Sequence, residues 1–202
     1  MAHCRMMLRL LILTAAFAFV ADAKDPLPRF LPTIAFPTKH FETRPELGKY
    51  QDAWRFITLN KTMHLYKRSY KGEDMYRDDE KCVVAKPLNI DSDIVTMEVT
   101  NNGRTIFNWF LTKEHTTGYK ESNVLVTAFL EHTPGYRSPM VFSDYKSCGI
   151  LRVPHFESEN RFACELWAIG KKPRVRNCCL FVYDLLCGMK DFVGYDAMKC
   201  KP

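Results

Sequence analysis

The chain has 202 residues, a formal net charge of +6 and eight cysteines. This length suits one domain and is long enough to bury a substantial core. The charge is mild, and the Lys and Arg residues are interspersed with acidic ones. The composition therefore excludes the concentrated basic face of a nucleic-acid-binding protein.

Residues 1–23 have the pattern of a secretory signal peptide. Arg5 and Arg9 precede an apolar run from Leu10 to Val20, and Ala21-Asp22-Ala23 supplies the small residues of a cleavage site. The run is far shorter than the roughly 20 apolar residues of a membrane-spanning helix. We therefore expect cleavage and secretion into the extracellular space. The mature chain would carry a net charge of +5, because the leader removes two Arg and one Asp.

The next segment, 24–46, contains five prolines. Proline favours extended backbone and disfavours helix in the residue before it. The segment is therefore predicted to be an extended, poorly ordered N-terminal arm, followed by a single domain over 47–202.

The start of that domain has helical spacing. Tyr50, Trp54 and Ile57 are apolar residues three and four positions apart, which predicts a short helix that closes one end of the structure. Asn60-Lys61-Thr62 follows at the predicted junction of helix and strand. This sequon makes Asn60 a candidate glycosylation site in a secreted chain.

From residue 62 the pattern changes to an alternation of period two, which is typical of β-strands. Asn101-Asn102-Gly103 lies between two of the alternating runs, and an Asn-Gly pair there is the strongest short-range signal of a hairpin. Pro173 and Gly188 then enclose apolar residues at helical spacing, which predicts a C-terminal helix. The eight predicted strands are 62–70, 81–87, 94–100, 104–112, 123–131, 138–144, 147–153 and 161–169.

Strands at hairpin spacing, without an alternation of strands and helices, indicate antiparallel pairing. We predict an all-β fold, an eight-stranded antiparallel up-and-down barrel with a short N-terminal helix and a C-terminal helix. A β-sandwich is the alternative. A barrel of eight strands is just wide enough to hold one small ligand.

Seven cysteines remain once the leader is removed. In an oxidising compartment this odd number predicts three disulfides and one thiol that is free or joined to another chain. No C-x-x-C pair occurs and no His lies close to these cysteines in sequence, so we expect no metal and no cofactor. The His residues are dispersed, without a recognisable nucleophile, zinc-protease or phosphate-loop motif. The sequence therefore predicts a binding protein, not an enzyme.

Several short motifs together resemble one family. They are Gln51-Asp52-Ala53-Trp54 before the first strand, Tyr70 ahead of an acidic turn and Cys82, Phe142-Ser143-Asp144 before Cys148, Cys164-Glu165-Leu166-Trp167, and a terminal Cys200. In their order and spacing they resemble the tick salivary lipocalins, the histamine-binding family, over nearly the whole mature chain. The resemblance implies a secreted lipocalin barrel that sequesters a small host mediator and so dampens host defence. The ligand it implies is a biogenic amine such as histamine or serotonin.

The resemblance also implies a cysteine pairing: Cys82 with Cys200, Cys148 with Cys178, and Cys164 with Cys187. Cys179 is then left over, so the protein would be a monomer or, through this thiol, a disulfide-linked dimer. Adjacent helix positions point about 100° apart, so Cys178 and Cys179 cannot both face the same strand. The sequence leaves open which of them does.

By match to the family's motifs, the implied ligand-binding residues are Tyr70, Glu73, Tyr76, Glu165 and Trp167. An ammonium that leaves water needs a counter-charge, and an aromatic face adds roughly 0.5–2 kcal/mol. The chain departs from the family at other acidic positions. Gly149 and the run 136–142 offer no acid, and Glu114 is a candidate substitute in the fourth strand. These departures argue against a second amine site.

Two other functions fit the same fold. A carrier of a fatty acid or eicosanoid could line its pocket with Phe107, Trp109, Phe110, Val124, Val126 and Phe129, and pair the carboxylate with Arg68 or Lys86. Inward-facing Glu73 and Glu165 would favour an amine, whereas inward-facing Arg68 would favour an acid. An antagonist of a host protease or complement factor would bind through an exposed loop, for which His155-Phe156 is the candidate.

Overall fold

The computed structural model describes residues 40–71, 81–131, 133–158, 162–171, 173–188 and 192–200. The predicted signal peptide, 1–23, and most of the predicted arm lie outside these ranges. The compact unit begins at Phe41, earlier than the predicted boundary at residue 47. The end of the arm forms two short 3₁₀ helices, Phe41–Thr43 and Pro45–Tyr50, and Glu42 is buried.

Eight antiparallel strands form a closed barrel, which confirms the predicted fold. Each strand pairs with the next along the chain, and β1 pairs with β8 to close the ring. The strands are β1 (Met63–Arg68), β2 (Val83–Ile90), β3 (Val95–Asn101), β4 (Arg104–Glu114), β5 (Val124–Ala128), β6 (Tyr136–Ser143), β7 (Cys148–Arg152) and β8 (Cys164–Ile169).

A ninth strand, β9 (Phe192–Val193), was not predicted. It pairs with Lys67 and Arg68 of β1, beyond the two residues where β1 pairs with β2. Two residues are too few to show an alternation in the sequence, so no pattern could reveal this strand.

The predicted hairpin is present between β3 and β4. Asn102 and Gly103 occupy the turn with φ of 49° and 79°, the left-handed conformation that both positions of a two-residue turn require. Asn and Gly adopt it at low cost. This turn fixes the register between β3 and β4, the longest strand of the barrel.

A short helix closes one end of the barrel, as predicted, although it is shorter than the spacing suggested. α1 (Ala53–Ile57) begins where the Asp52 side chain accepts a hydrogen bond from the backbone N–H of Arg55 at 2.9 Å. Gln51, fully buried, separates α1 from the preceding 3₁₀ helix. Its amide donates to the carbonyls of Phe41 and Val141 at 2.9 and 3.0 Å, which ties this end of the chain to the barrel wall.

The predicted C-terminal helix is α2 (Asn177–Cys187), which packs on the outside of β6, β7 and β8. It ends at Gly188, whose φ of 86° suits glycine better than any other residue. In the part of the chain that the structure describes, no helix is both long and apolar enough to cross a membrane.

Three disulfides join the part of the chain that follows β8 to the barrel. Cys82–Cys200 and Cys164–Cys187 are the pairs that the family resemblance implies. The third corrects the prediction, because Cys148 is bonded to Cys179 and not to Cys178. Cys179 is fully buried against β7, whereas Cys178, one helical position away, points elsewhere and is a partly exposed free thiol.

A buried ion pair anchors the end of the arm. Arg152, on the outer face of β7, donates from Nε and Nη2 to the two carboxylate oxygens of Glu42 at 3.1 and 3.3 Å. Both side chains are at most 4 % exposed. Arg152 also donates to the Leu186 carbonyl at 3.3 Å and lies over the ring of Phe162. One side chain thus connects the first 3₁₀ helix, the barrel wall and α2.

We predict that Glu42→Ala lowers the free energy of unfolding by about 1.5–3 kcal/mol, because it removes two charge-assisted hydrogen bonds from the buried Arg152 guanidinium and leaves it, among the described residues, only the more distant carboxylate of Glu157, at 3.8 Å. Glu46→Ala is the matched control. It removes a surface partner of Arg44 and should cost at most about 1 kcal/mol. Urea unfolding measures both values, and equal losses would contradict the anchoring role of Glu42.

The free thiol gives a second prediction. An alkylating reagent added to the native, unreduced protein should label one residue, Cys178, at a rate limited by its partial burial. The label is located by peptide mass mapping, and Cys178→Ser should abolish it without changing the unfolding midpoint. Labelling of Cys179 instead, with Cys148 bonded to Cys178, would show that the helix has the other orientation.

Candidate ligand-binding site

The barrel interior holds a cavity to which each of the eight strands contributes at least one side chain. It measures about 540 Å³ when the part open to solvent is counted. Alternation along the strands explains the lining, because every second residue points inward. At the end closed by α1 the lining is apolar and includes Phe56, Met97 and Leu111.

One carboxylate lies in this otherwise apolar and aromatic wall. Glu165, on β8, is 6 % exposed. The Tyr70 hydroxyl donates a hydrogen bond to its Oε1, and the Trp167 indole nitrogen donates to its Oε2 at 2.8 Å. Glu165 and Trp167 are two residues apart on one strand and therefore face the same way. Tyr70 comes from the chain just beyond β1, the strand that pairs with β8.

Burial raises the pKa of Glu165, whereas the hydrogen bonds from Tyr70 and Trp167 and the positive charge of Arg68 oppose that rise. The net shift is upward. A carboxylate offers about four acceptor positions, and Tyr70 and Trp167 occupy one on each oxygen. Glu165 is therefore a fixed, desolvated acceptor that can still receive hydrogen bonds from a cation.

A series of aromatic rings begins and ends at the two residues that donate hydrogen bonds to this carboxylate. Each touches the next in a series, with ring centres 4.3–6.2 Å apart, and Glu165 joins the two ends through its bonds to Tyr70 and Trp167. In order, the series is Tyr70, Phe156, His155, Tyr136, Phe129, Phe107, Trp109 and Trp167. Of this series, Trp109, Tyr136, His155 and Trp167 line the cavity, so a cation bound at Glu165 would have aromatic side chains in the same cavity, which favours cation-π attraction.

Sequence reasoning did not assign His155 and Phe156 to this site, and proposed them as an exposed loop for a protein partner. They lie on a 3₁₀ helix, Pro154–Phe156, between β7 and β8. His155 is exposed, as predicted, and also contributes to the cavity lining, whereas Phe156 is half-buried and stacks on Tyr70 with ring centres 4.4 Å apart. No periodicity marks so short a loop segment, so the sequence offered no signal for its direction.

Two predicted site residues, Glu73 and Tyr76, lie outside the described residues. Glu114, the candidate acid of the fourth strand, pairs with Arg137 at 2.7 Å on the surface. The place of an acid at Gly149 is taken by Phe56, because a Cβ there would lie 2.5 Å from its ring. Of the described residues that line the cavity, Glu165 alone is acidic and none is Lys or Arg.

The two cations considered for an acidic ligand are placed differently. Lys86 is exposed on β2. Arg68 is 2 % exposed and pairs in register with Glu165, and its guanidinium lies between the rings of Tyr70 and Phe192 at 5.7 and 5.6 Å. Directly opposed residues of an antiparallel pair point to the same face, so Arg68 shares the face of Glu165. Arg68 is not among the residues that line the cavity, and its positive charge opposes the rise in the pKa of Glu165.

Comparison with known proteins agrees with this architecture. The family model for tick histamine binding proteins matches residues 41–202. A male-specific histamine-binding salivary protein of Rhipicephalus appendiculatus is 25 % identical over 215 aligned positions, which cover 96 % of each chain.

Among solved structures, the complex of AM182 with serotonin superposes with a TM-score of 0.53 at 19 % identity, and covers 74 % of this chain and 92 % of that one. This likeness supports the barrel fold. The family match extends over most of the chain and begins at Phe41, where the compact unit begins. The chain belongs to the tick histamine-binding protein family.

Proposed function

We propose that this protein binds a biogenic amine such as histamine or serotonin inside its barrel, and that this binding sequesters a host mediator and dampens host defence. The observation that carries the proposal is Glu165, a carboxylate buried in the cavity wall and held by Tyr70 and Trp167. The names of a relative and of a structural neighbour, which refer to histamine and serotonin, support it.

The physical argument is one of charge compensation. A carboxylate buried in an apolar wall and an ammonium that leaves water both lose hydration, which is costly unless the charge is paired. Arg68 offsets this cost for Glu165 only in part, because the pKa of Glu165 remains raised. Bringing the two together offsets both, and the surrounding rings add cation-π attraction. A fatty-acid carboxylate at the same place would face Glu165 as a like charge, which favours the amine over the apolar-carrier function.

Binding alone performs this function, with no catalytic step. Sequestration requires tight binding, and a rigid site lowers the entropic cost of binding. Here the carboxylate is held by two hydrogen bonds and the barrel by three disulfides. Disulfides persist in oxidising compartments, which supports a secreted protein.

The substitution Glu165→Gln tests amine binding directly. The substitution keeps the shape of the side chain and removes its charge, so amine affinity should fall roughly 10- to 100-fold with little change in thermal stability. Calorimetric titration of histamine and serotonin at neutral pH measures it. Glu114→Gln is the control, because it makes the same chemical change at a partly exposed residue outside the cavity lining. This variant should bind amines with the affinity of the wild type.

The pH dependence of amine affinity tests the charge of Glu165 in a second way. Burial raises the pKa of Glu165 in the free protein, and a bound ammonium would lower it again. Binding should therefore release a proton, and affinity should fall as the pH drops through the free-protein pKa. Titration in two buffers of different protonation enthalpy detects this release, which Glu165→Gln should abolish. Heat with a long-chain fatty acid and none with either amine would overturn the proposal.

Secretion also predicts modification of Asn60. Its side chain is exposed between α1 and β1, with φ of 53°, so the sequon is accessible. Protein from a secreting eukaryotic cell should carry extra mass that a glycosidase removes and Thr62→Ala prevents. An unmodified mass from such cells would refute this assignment.

A further inference from the structure

Trp109 presents a polar atom that its surroundings leave unused. The residue is 7 % exposed and lines the cavity from β4. Within the described part of the chain, its indole nitrogen is buried and has no hydrogen-bond partner. An indole N–H can only donate, and buried donors in folded proteins are normally paired. The other cavity tryptophan, Trp167, is paired, because it donates to Glu165.

The position of Trp109 is opposite to that of Glu165. In the ring of eight strands, β4 and β8 are four strands apart in either direction. The Trp109 ring reaches across the interior to Trp167, with ring centres 5.6 Å apart and planes inclined at 77°. The cavity is therefore bounded by an acceptor on β8 and a donor on β4.

The wall next to Trp109 is also the polar part of the lining. Thr127 on β5 pairs in register with Leu111, two residues along β4 from Trp109. Tyr136, the partner of Thr127 on β6, and Ser138 are the other two hydroxyl-bearing residues of this patch, and all three residues contribute to the cavity lining. The closed end offers no comparable groups, since Phe56, Met97 and Leu111 are apolar.

Taking amine binding as proposed above, we propose that the Trp109 indole N–H donates a hydrogen bond to an acceptor atom at the end of the ligand remote from its ammonium. Trp109 is then a specificity-determining residue. The preferred ligand is an arylalkylamine whose ring carries a hydroxyl or another acceptor, and unsubstituted arylalkylamines bind less tightly.

The expected selectivity between arylalkylamines depends on whether the Trp109 N–H is paired in the complex. A ligand with a ring acceptor satisfies the indole N–H, whereas a ligand without one leaves it buried and unpaired in the complex, so a site built to pair a polar group rejects analogues that lack it. Alternatively, this N–H donates to the face of the Trp167 ring, which is a weak contact. In that case the affinity would not depend on the ring substituent of the ligand, whereas donation to the ligand predicts that it does.

The test compares tyramine with phenethylamine, which differ only in the ring hydroxyl. Calorimetry on the full mature protein should give about 3- to 10-fold tighter binding of tyramine. Trp109→Phe removes the donor and should bring this ratio close to one. Any effect of the smaller ring on cavity shape acts on both amines and cancels in the ratio.

Trp54→Phe is the matched control, because Trp54 lies on α1 beneath Lys113 and does not line the cavity. It should keep the wild-type ratio. An unchanged ratio in Trp109→Phe would overturn the role of Trp109 while leaving the Glu165 site intact. Failure of both amines to bind the wild-type protein would overturn amine binding itself, and this inference with it.

A spectroscopic measurement avoids dependence on the folding of the variant. The chain has three tryptophans, so the ¹⁵N-labelled wild-type protein gives three indole N–H signals, of which Trp54→Phe identifies one. The Trp167 signal should change with either amine, because its N–H donates to Glu165. The remaining signal, that of Trp109, should shift downfield with tyramine and not with phenethylamine. The same change of both signals with both amines would contradict donation to the ring acceptor.

Discussion

The pairing of β1 with β8 closes the barrel, and the binding site depends on it. The register sets Arg68 opposite Glu165 and includes a bulge between Leu65 and Lys67. This pairing brings the end of β1 beside Glu165, so that the Tyr70 hydroxyl reaches the carboxylate. A one-residue slip would turn Glu165 and Trp167 outward. Closure of the barrel therefore forms the cavity and places the Glu165 carboxylate in its wall.

The three disulfides among the described residues hold the outer layer of the chain on the barrel and do not span this seam. Cys164–Cys187 and Cys148–Cys179 attach α2 to the outer faces of β8 and β7, and Cys82–Cys200 holds the C-terminal segment near the start of β2. Such links act mainly by restricting the unfolded chain. Together with the Glu42–Arg152 pair they keep the outer layer in place. The stability gained in this way allows the inner face to contain a destabilising group, the buried carboxylate of Glu165.

The two ends of the barrel interior have different roles. At the closed end, Phe56 of α1 fills the space that the missing side chain of Gly149 leaves, and the interior is an apolar core. Nearer the other end, the cavity is lined by Glu165, by four members of the aromatic series and by Thr127 and Ser138. Core packing at one end thus leaves Glu165 as the one acidic residue among the described residues that line the cavity.

The sequence by itself determined the all-β barrel, its strand count and its two helices, because period-two alternation and turn chemistry are local properties. The inward direction of Glu165 and Trp167 follows from the same alternation once the barrel is assumed. The family resemblance added Tyr70 and two of the three disulfides. The alternation cannot show which elements meet, since it is silent about loops and about the outer layer.

Only the tertiary structure decided the remaining contacts. Glu42 and Arg152 are 110 residues apart, so no local pattern could tie the proline-rich arm to β7. The choice of Cys179 over Cys178 depended on the rotation of α2 against the sheet, which is set by packing and not by helical spacing. Among the described residues, the indole nitrogen of Trp109 has no partner, and a missing partner can be recognised only in the folded interior.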